Sequence, residues 1–155
     1  MDLIEQIKEE EGYRETVYDD ATGKPIRKGS VVVGNPTIGF GRNLADRGIN
    51  SAEAYEMLRR DLSETFEVLL KNFSWFARLS DARQCVLMSM CFNMGIGRLR
   101  GFRKMLAAID RSDWSAAAYE LLDSKAARDL PGRYRVLAKM MRYDLKYEAA
   151  KKGHP

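Results

Sequence analysis

The strongest constraint on the fold is a change of pattern near residue 50. Across residues 16–41, short β-rich runs alternate with Gly, Asn and Pro. Such runs between turn residues predict a small antiparallel sheet. From Asn50 onward, the apolar residues follow helical spacing instead. A small sheet near the N-terminus followed by a helical body predicts an α+β fold.

Capping residues and apolar stripes place the helices. Asp2 and Glu5 form a capping box that predicts a first helix ending near Gly12. Asn50 and Glu53 form a second capping signal. The stripe after it predicts a helix of about twenty residues, or roughly 30 Å, long enough to bridge two lobes. The stripe consists of Tyr55, Leu58, Leu62, Phe66, Leu69 and Phe73.

The C-terminal half contains further helix signals. Residues 81–94 are apolar nearly all round and predict a central, buried helix that Gly95 ends. Shorter helices are predicted at residues 102–109 and 114–124, and another begins at Pro131. A chain of 155 residues is the size of one domain, and we expect a single domain.

The composition excludes several kinds of site. His154 is the sole histidine, which excludes a Ser-His-Asp triad and a histidine metal site. Cys85 and Cys91 are about 9 Å apart along one predicted helix, beyond disulfide reach, and we expect inert core thiols. The chain lacks an apolar run of the roughly 18 residues that a membrane span needs, and its acidic start is unlike a signal peptide. We therefore expect any chemistry to rest on carboxylates.

Three adjacent carboxylates, Glu9, Glu10 and Glu11, close the first predicted helix. At about 100° per residue, Glu11 falls on the apolar stripe of Ile4 and Ile7 and is expected to point inward. Partial burial and the negative end of the helix dipole both disfavour ionisation, which suits a general acid. The alternative is a solvated helix end with one loosely placed member.

A second pair of carboxylates, Asp19 and Asp20, follows a strand-like run and opens a turn. Turn aspartates usually accept hydrogen bonds from backbone N–H groups. However, two carboxylates on adjoining elements, one buried and one solvated, also form the acid/base pair of glycoside hydrolysis. Thr37 could orient a water there, although most strand threonines have no such role.

Two motifs carry a family resemblance. The pattern E-G-Y-R-x-x-V-Y-x-D begins at Glu11 and ends at Asp20, and T-I-G-F-G begins at Thr37. Together they resemble the active-site signature of phage-type lysozymes, glycoside hydrolase family 24. Agreement continues in order at residues 91–95, 101–102, 113–117 and 130–133, so the resemblance covers nearly the whole chain.

The resemblance implies one lysozyme-like domain over residues 1–155, with a sheet lobe near 13–60 and a helical lobe near 61–148 plus the N-terminal helix. It implies a muramidase without a cofactor that cleaves the β-1,4 bond between N-acetylmuramic acid and N-acetylglucosamine. Glu11 would be the general acid. Asp20 would stabilise positive charge or act on the attacking water, and Thr37 would hold that water.

The resemblance also implies supporting residues. Phe92 matches a substrate contact, with Asn93 as its polar neighbour. Arg133 matches an arginine that pairs with the catalytic glutamate, the alternative being a surface charge. Arg42 replaces a histidine of the family's type member, and Asp61 matches that histidine's aspartate partner. We therefore expect an Arg42–Asp61 ion pair, which would not titrate near neutral pH.

Some positions depart from the family pattern. Residues 24–34 are inserted and are expected to lengthen the hairpin beside the cleft. They would either contact peptide stems or cap the sheet. At two cleft-lining positions, Leu130 is present and Ala126 replaces an aromatic residue, which affects subsite preference rather than the reaction.

Two alternative functions remain open. A lytic transglycosylase needs the acid but no water-directing aspartate. A non-catalytic module could bind cell wall or nucleic acid through its basic surface, since the net charge is +4. We expect a monomer whose partner is peptidoglycan, without nucleic acid or stable membrane insertion. It would be made in the bacterial host cytoplasm and reach the periplasm or wall through a holin-like pore, a phage tail or a secretion system.

Overall fold

The structure is a computed structural model that describes residues 3–153. The first elements are α1 (Leu3–Glu11), β1 (Arg14–Asp19), β2 (Pro36–Gly39), β3 (Arg42–Asn43), α2 (Leu44–Arg47) and α3 (Ser51–Asn72). After a short 3₁₀ helix (Phe76–Arg78) come α4 (Asp81–Leu99), α5 (Arg103–Asp110), α6 (Trp114–Leu122), α7 (Lys125–Asp129), α8 (Pro131–Tyr143) and α9 (Tyr147–Lys151). This confirms the α+β, lysozyme-like class.

The chain divides into two compact units, and the boundary between Glu56 and Met57 falls within α3. This helix has 22 residues and is about 33 Å long, so the prediction of one long helix is confirmed. Its apolar stripe is less buried than the periodicity suggests. Leu69 is fully buried, whereas Leu58 and Leu62 are exposed.

The first unit contains a three-stranded antiparallel sheet, in the order β1-β2-β3, which confirms the prediction of a small antiparallel sheet. Tyr18 is opposite Thr37 in this sheet, and Ile38 is opposite Arg42. The sheet therefore brings the end of β1, and the turn that follows it, beside the start of β2.

The valine run of the insertion, Val31 to Val33, is not a strand. Its backbone turns to the carboxylate of Asp19, which accepts the N–H of Val33 at 2.7 Å. Val31 and Val33 point into solvent as a result. At Val33, a hydrogen bond to a buried carboxylate thus takes the place of strand pairing.

Helix α1 differs from expectation in its exposure. It ends at Glu11 as predicted, and the N–H of Gly12 bonds the carbonyl of Lys8 at 3.0 Å. However, α1 has no buried residue, and both Ile4 and Glu11 are exposed. The expectation that Glu11 is partly buried is wrong. Asp2, the expected cap, and His154 lie outside the described residues.

The core of the second unit forms around α4, as predicted. Val86, Leu87 and Met90 are almost completely buried on this helix. At Gly95 the backbone leaves helical geometry, with φ 80° and ψ 162°, and a helical turn then continues to Leu99. Gly95 therefore kinks the helix rather than ending it.

The two cysteines are both free but differ in burial. Cys91 is buried in the core, and burial raises the pKa of its thiol. Cys85 is exposed, because it lies on the solvent-facing side of α4. The expectation of a core position is confirmed for Cys91 and wrong for Cys85.

The remaining predicted helices are present as α5, α6 and α8. Asp113 caps α6 by accepting the N–H of Ala116 at 3.0 Å, and Pro131 opens α8. Helices α2, α7 and α9 were not predicted, because four or five residues are too few to show a period. Within residues 3–153, no helix has the length and apolarity that crossing a membrane requires.

Candidate active site

The Glu11 side chain is positioned by the turn between β2 and β3. A Cβ atom built on Gly41 would overlap Oε2 of Glu11 and come within 2.9 Å of Cδ. Gly41 also has φ +70°, a conformation that favours glycine. The last glycine of the T-I-G-F-G motif is therefore needed both for the turn and for the space that the Glu11 carboxylate occupies.

Asp20 is the first residue after β1, and it is exposed. Its Oδ1 accepts the backbone N–H of Asn35 at 2.7 Å, and its Oδ2 accepts from Asn35 Nδ2 at 3.3 Å. In return, the N–H of Asp20 donates to the carbonyl of Asn35 at 3.1 Å. A single residue thus fixes both the backbone and the carboxylate of Asp20.

Thr37 is bound to the same residue. It is 3% exposed, and its hydroxyl donates to the carbonyl of Asn35 at 3.1 Å. The structure therefore brings Asp20 and Thr37 together through Asn35. Sequence reasoning missed Asn35, although the Gly-Asn-Pro turn immediately before Thr37 marks a residue of this kind.

Asp19 is also part of the site, in a different role from Asp20. Its side chain is buried and accepts backbone N–H groups from Val33 at 2.7 Å, Ala21 at 2.9 Å and Gly34 at 3.0 Å. These hydrogen bonds, that of Val33 above all, lower the pKa of Asp19 although burial opposes them. The backbone-binding role that is usual for turn aspartates is filled mainly by Asp19, which leaves Asp20 facing solvent.

Arg42 has a different partner from the one expected. Its Nε donates to the carbonyl of Gly48 and its Nη1 pairs with Oε1 of Glu53, both at 2.7 Å. Oε1 of Glu53 can pair with Arg42 because the predicted capping box uses only Oε2, which accepts the N–H of Asn50 at 2.8 Å. The structure therefore gives Arg42 a partner, Glu53, that the sequence did not suggest, and the Arg42–Asp61 pair stays a prediction. Asp61 is an exposed residue two turns further along α3.

The second unit contains the remaining candidate residues. Phe92 is 47% exposed on α4, and Asn93 follows it, two residues before the kink at Gly95. Asn93 lines a pocket of about 930 Å³ whose wall includes Ala126 and Leu130. The two positions that depart from the family pattern thus share one pocket with Asn93.

Arg133 lies in the first turn of α8 and is bound to α4. Its Nη2 donates to both the carbonyl and the hydroxyl of Ser89, each at 3.0 Å. This anchoring distinguishes it from a free surface charge. Its pairing with Glu11 stays a prediction.

Among residues 3–153, no group of three or more His, Cys, Asp or Glu side chains is arranged to hold a metal ion.

Comparison with known proteins identifies the family. The family model described as phage lysozyme matches residues 8–139, most of the chain. The chain therefore belongs to the phage lysozyme family. The pre-baseplate central spike protein Gp5 of Enterobacteria phage T4 is a relative, 29% identical over 152 residues. The match covers 86% of this chain and 26% of Gp5, so the chain spans about a quarter of that relative.

Proposed function

We propose that this chain is a muramidase that hydrolyses the β-1,4 bond between N-acetylmuramic acid and N-acetylglucosamine. In this proposal Glu11 is the general acid, Asp20 stabilises the positive charge that develops on the sugar or acts on the water, and Thr37 holds the water. The observation that carries the proposal is the attachment of Asp20 and Thr37 to the same residue, Asn35, in a chain of this family.

The position of Glu11 suits proton donation to a large substrate. Its carboxylate is exposed and is packed against a glycine rather than a side chain, so a glycosidic oxygen can approach it. Because Glu11 is exposed in the free protein, bound glycan would be what excludes water from the proposed acid.

The hydrogen bonds of Asp20 fix the orientation of its carboxylate. Both of its oxygens accept N–H groups from Asn35. A negative carboxylate in a fixed orientation can stabilise the oxocarbenium-like transition state of glycoside hydrolysis, or can take a proton from water.

Thr37 has one hydroxyl proton, which it donates to Asn35. The hydroxyl oxygen can then interact with a water only as an acceptor. A water that donates to Thr37 keeps a lone pair for attack on the sugar carbon. Because the Thr37 hydroxyl donates to Asn35, a water bound to Thr37 has to be the donor, which is the orientation that leaves its lone pair free for attack.

The second unit would contribute substrate contacts. Phe92 offers an exposed aromatic ring, and Asn93 offers an amide beside the pocket that Ala126 and Leu130 help to line. Arg133 would pair with Glu11. The small side chain of Ala126 widens the site where an aromatic residue is expected, so glycan or peptide preference would differ from other family members.

Delivery and cellular location follow from the proposed substrate. The enzyme would be made in the host cytoplasm and would act, as a monomer, in the periplasm or cell wall. Delivery on a phage tail gains support from the relative that is a phage spike protein. A holin-like pore and a secretion machine are the other routes.

The test is digestion of purified peptidoglycan, with the fragments identified by mass spectrometry. The parent, Glu11→Gln and Glu10→Gln are compared, the last as a control with the same change on the adjacent residue. Reducing N-acetylmuramic ends are expected from the parent and the control, and none from Glu11→Gln. Anhydro-muramic ends would instead indicate a transglycosylase and remove Asp20 from the mechanism. No fragments from folded parent would favour a binding module.

A further inference from the structure

We infer that Asp19 is a positioning residue for the reaction, because it fixes the backbone of residues 33–35 so that Asn35 can orient Asp20 and Thr37. This inference rests on the proposed function and deepens it. It assigns a role to the carboxylate beside the proposed catalytic one, and it explains how an inserted loop is compatible with an ordered site.

Asp19 holds both ends of the inserted loop. Its N–H donates to the carbonyl of Lys24 at 2.9 Å, where the insertion begins. Its carboxylate accepts the N–H groups of Val33 and Gly34, where the insertion ends. Between these points the loop carries exposed side chains such as Val31. The sequence in the middle of the loop can therefore vary while the loop exit, Val33 and Gly34, stays fixed.

The restraint passes directly to the proposed catalytic residues. Gly34 is bonded covalently to Asn35, and Asn35 makes the hydrogen bonds to Asp20 and Thr37. Contact here is close, because a Cβ atom on Gly34 would overlap Oδ1 of Asp20. A shift of the loop exit would consequently move the Asn35 N–H and carbonyl together, and with them both of their partners.

The hydrogen bonds from Ala21, Val33 and Gly34 to the Asp19 carboxylate, called the clamp below, require that carboxylate to be ionised. Three N–H groups converge on the two oxygens of Asp19, and a carboxylate offers acceptors only. An asparagine would keep one oxygen but turn an NH₂ group toward the N–H of another residue. Asp19→Asn is therefore a minimal change in size that breaks at least one bond of the clamp.

The experiment separates positioning from simple structural support. For Asp19→Asn, kcat and KM are measured on soluble glycan chains at a temperature where circular dichroism shows the variant folded. We expect kcat to fall about 10- to 100-fold, because small misplacements of catalytic groups are costly, with KM within about twofold of the parent. Asp113→Asn, which alters another backbone-binding aspartate, is the matched control. It should lose thermal stability without losing kcat.

Two further variants keep the outcome unambiguous. Asn35→Ala removes only the side-chain donor to Asp20, leaves the hydrogen bonds of Asp19 to Val33 and Gly34 in place, and should lower kcat by a smaller factor. Asp20→Asn tests the proposed function itself and should be inactive. If Asp20→Asn is inactive while folded Asp19→Asn and Asn35→Ala keep the parent kcat, the positioning role is wrong and the proposed function stands. Full activity of Asp20→Asn would overturn both.

Discussion

The carboxylate of Glu11 occupies the space that a side chain at Gly41 would need. The two residues lie thirty positions apart in the chain, and the turn between β2 and β3 brings them into contact. The proposed acid is thus placed by a turn as much as by its own helix. Two separate motifs of the sequence meet at this contact.

Substitution of Gly41 by alanine should reduce both stability and activity. The added methyl group meets the Glu11 side chain, and φ +70° strains a residue with a Cβ atom by about 1–2 kcal/mol. We expect a lower free energy of unfolding, measured in urea, together with a loss of peptidoglycan cleavage that exceeds the loss of folded protein.

Gly29→Ala is the control for this substitution. Its φ is +87°, but a Cβ atom there meets no atom within 4 Å. It should show the backbone strain without displacing a carboxylate, and so it should keep its activity per folded molecule. Equal loss of activity in the two variants would refute a specific role for the contact between Gly41 and Glu11.

The low pKa of Asp19 predicts a contribution to stability that depends on pH. Since the folded protein holds this pKa below the ordinary value of 3.8, the ionised carboxylate stabilises the fold above that value. The contribution is lost as the pH falls through the lower, folded pKa. Asp19→Asn should therefore weaken the dependence of unfolding free energy on pH below about pH 4, as measured by urea unfolding across a pH series. An unchanged slope in that range would contradict the prediction.

The sequence predicts the elements whose pattern repeats over several turns. The stripe around Leu69 predicts α3, and the apolar run around Met90 predicts the central helix. Periodicity does not reveal which side of a short helix becomes covered. The stripe of α1 therefore suggested an inward Glu11, whereas the stripe and Glu11 are both exposed.

The candidate site is predictable in part, since the resemblance to the family's motifs singles out Glu11, Asp20 and Thr37, whereas the residue pattern alone leaves their roles open. Its supporting hydrogen bonds are not. The Gly-Asn-Pro turn marks where the inserted loop returns to the sheet, but it does not reveal that Asn35 binds both Asp20 and Thr37. Likewise, the choice of Glu53 for Arg42 depends on where α3 begins relative to β3.

The Arg42–Glu53 ion pair should make a small contribution to stability. Both side chains are partly exposed, so the expected loss in Glu53→Gln is about 0.5 kcal/mol. Glutamine can still complete the capping box with Asn50, which isolates the ion pair from the cap. Urea unfolding of Glu53→Gln and Asp61→Asn should show a loss in the first alone. A larger loss in Asp61→Asn would restore the partner that the sequence suggested.

Thr37 offers the sharpest separation of a chemical role from a packing role. Thr37→Val keeps the shape of this buried side chain but removes the hydroxyl, while Thr37→Ser keeps the hydroxyl and removes a methyl group. The carbonyl of Asn35 still accepts the N–H of Asp20 in either variant, so the turn should persist. If Thr37 holds the attacking water, the valine variant should lose about 100-fold in kcat and the serine variant should retain most of it. If packing alone matters, the order is reversed, because serine leaves a cavity in the sheet that valine fills.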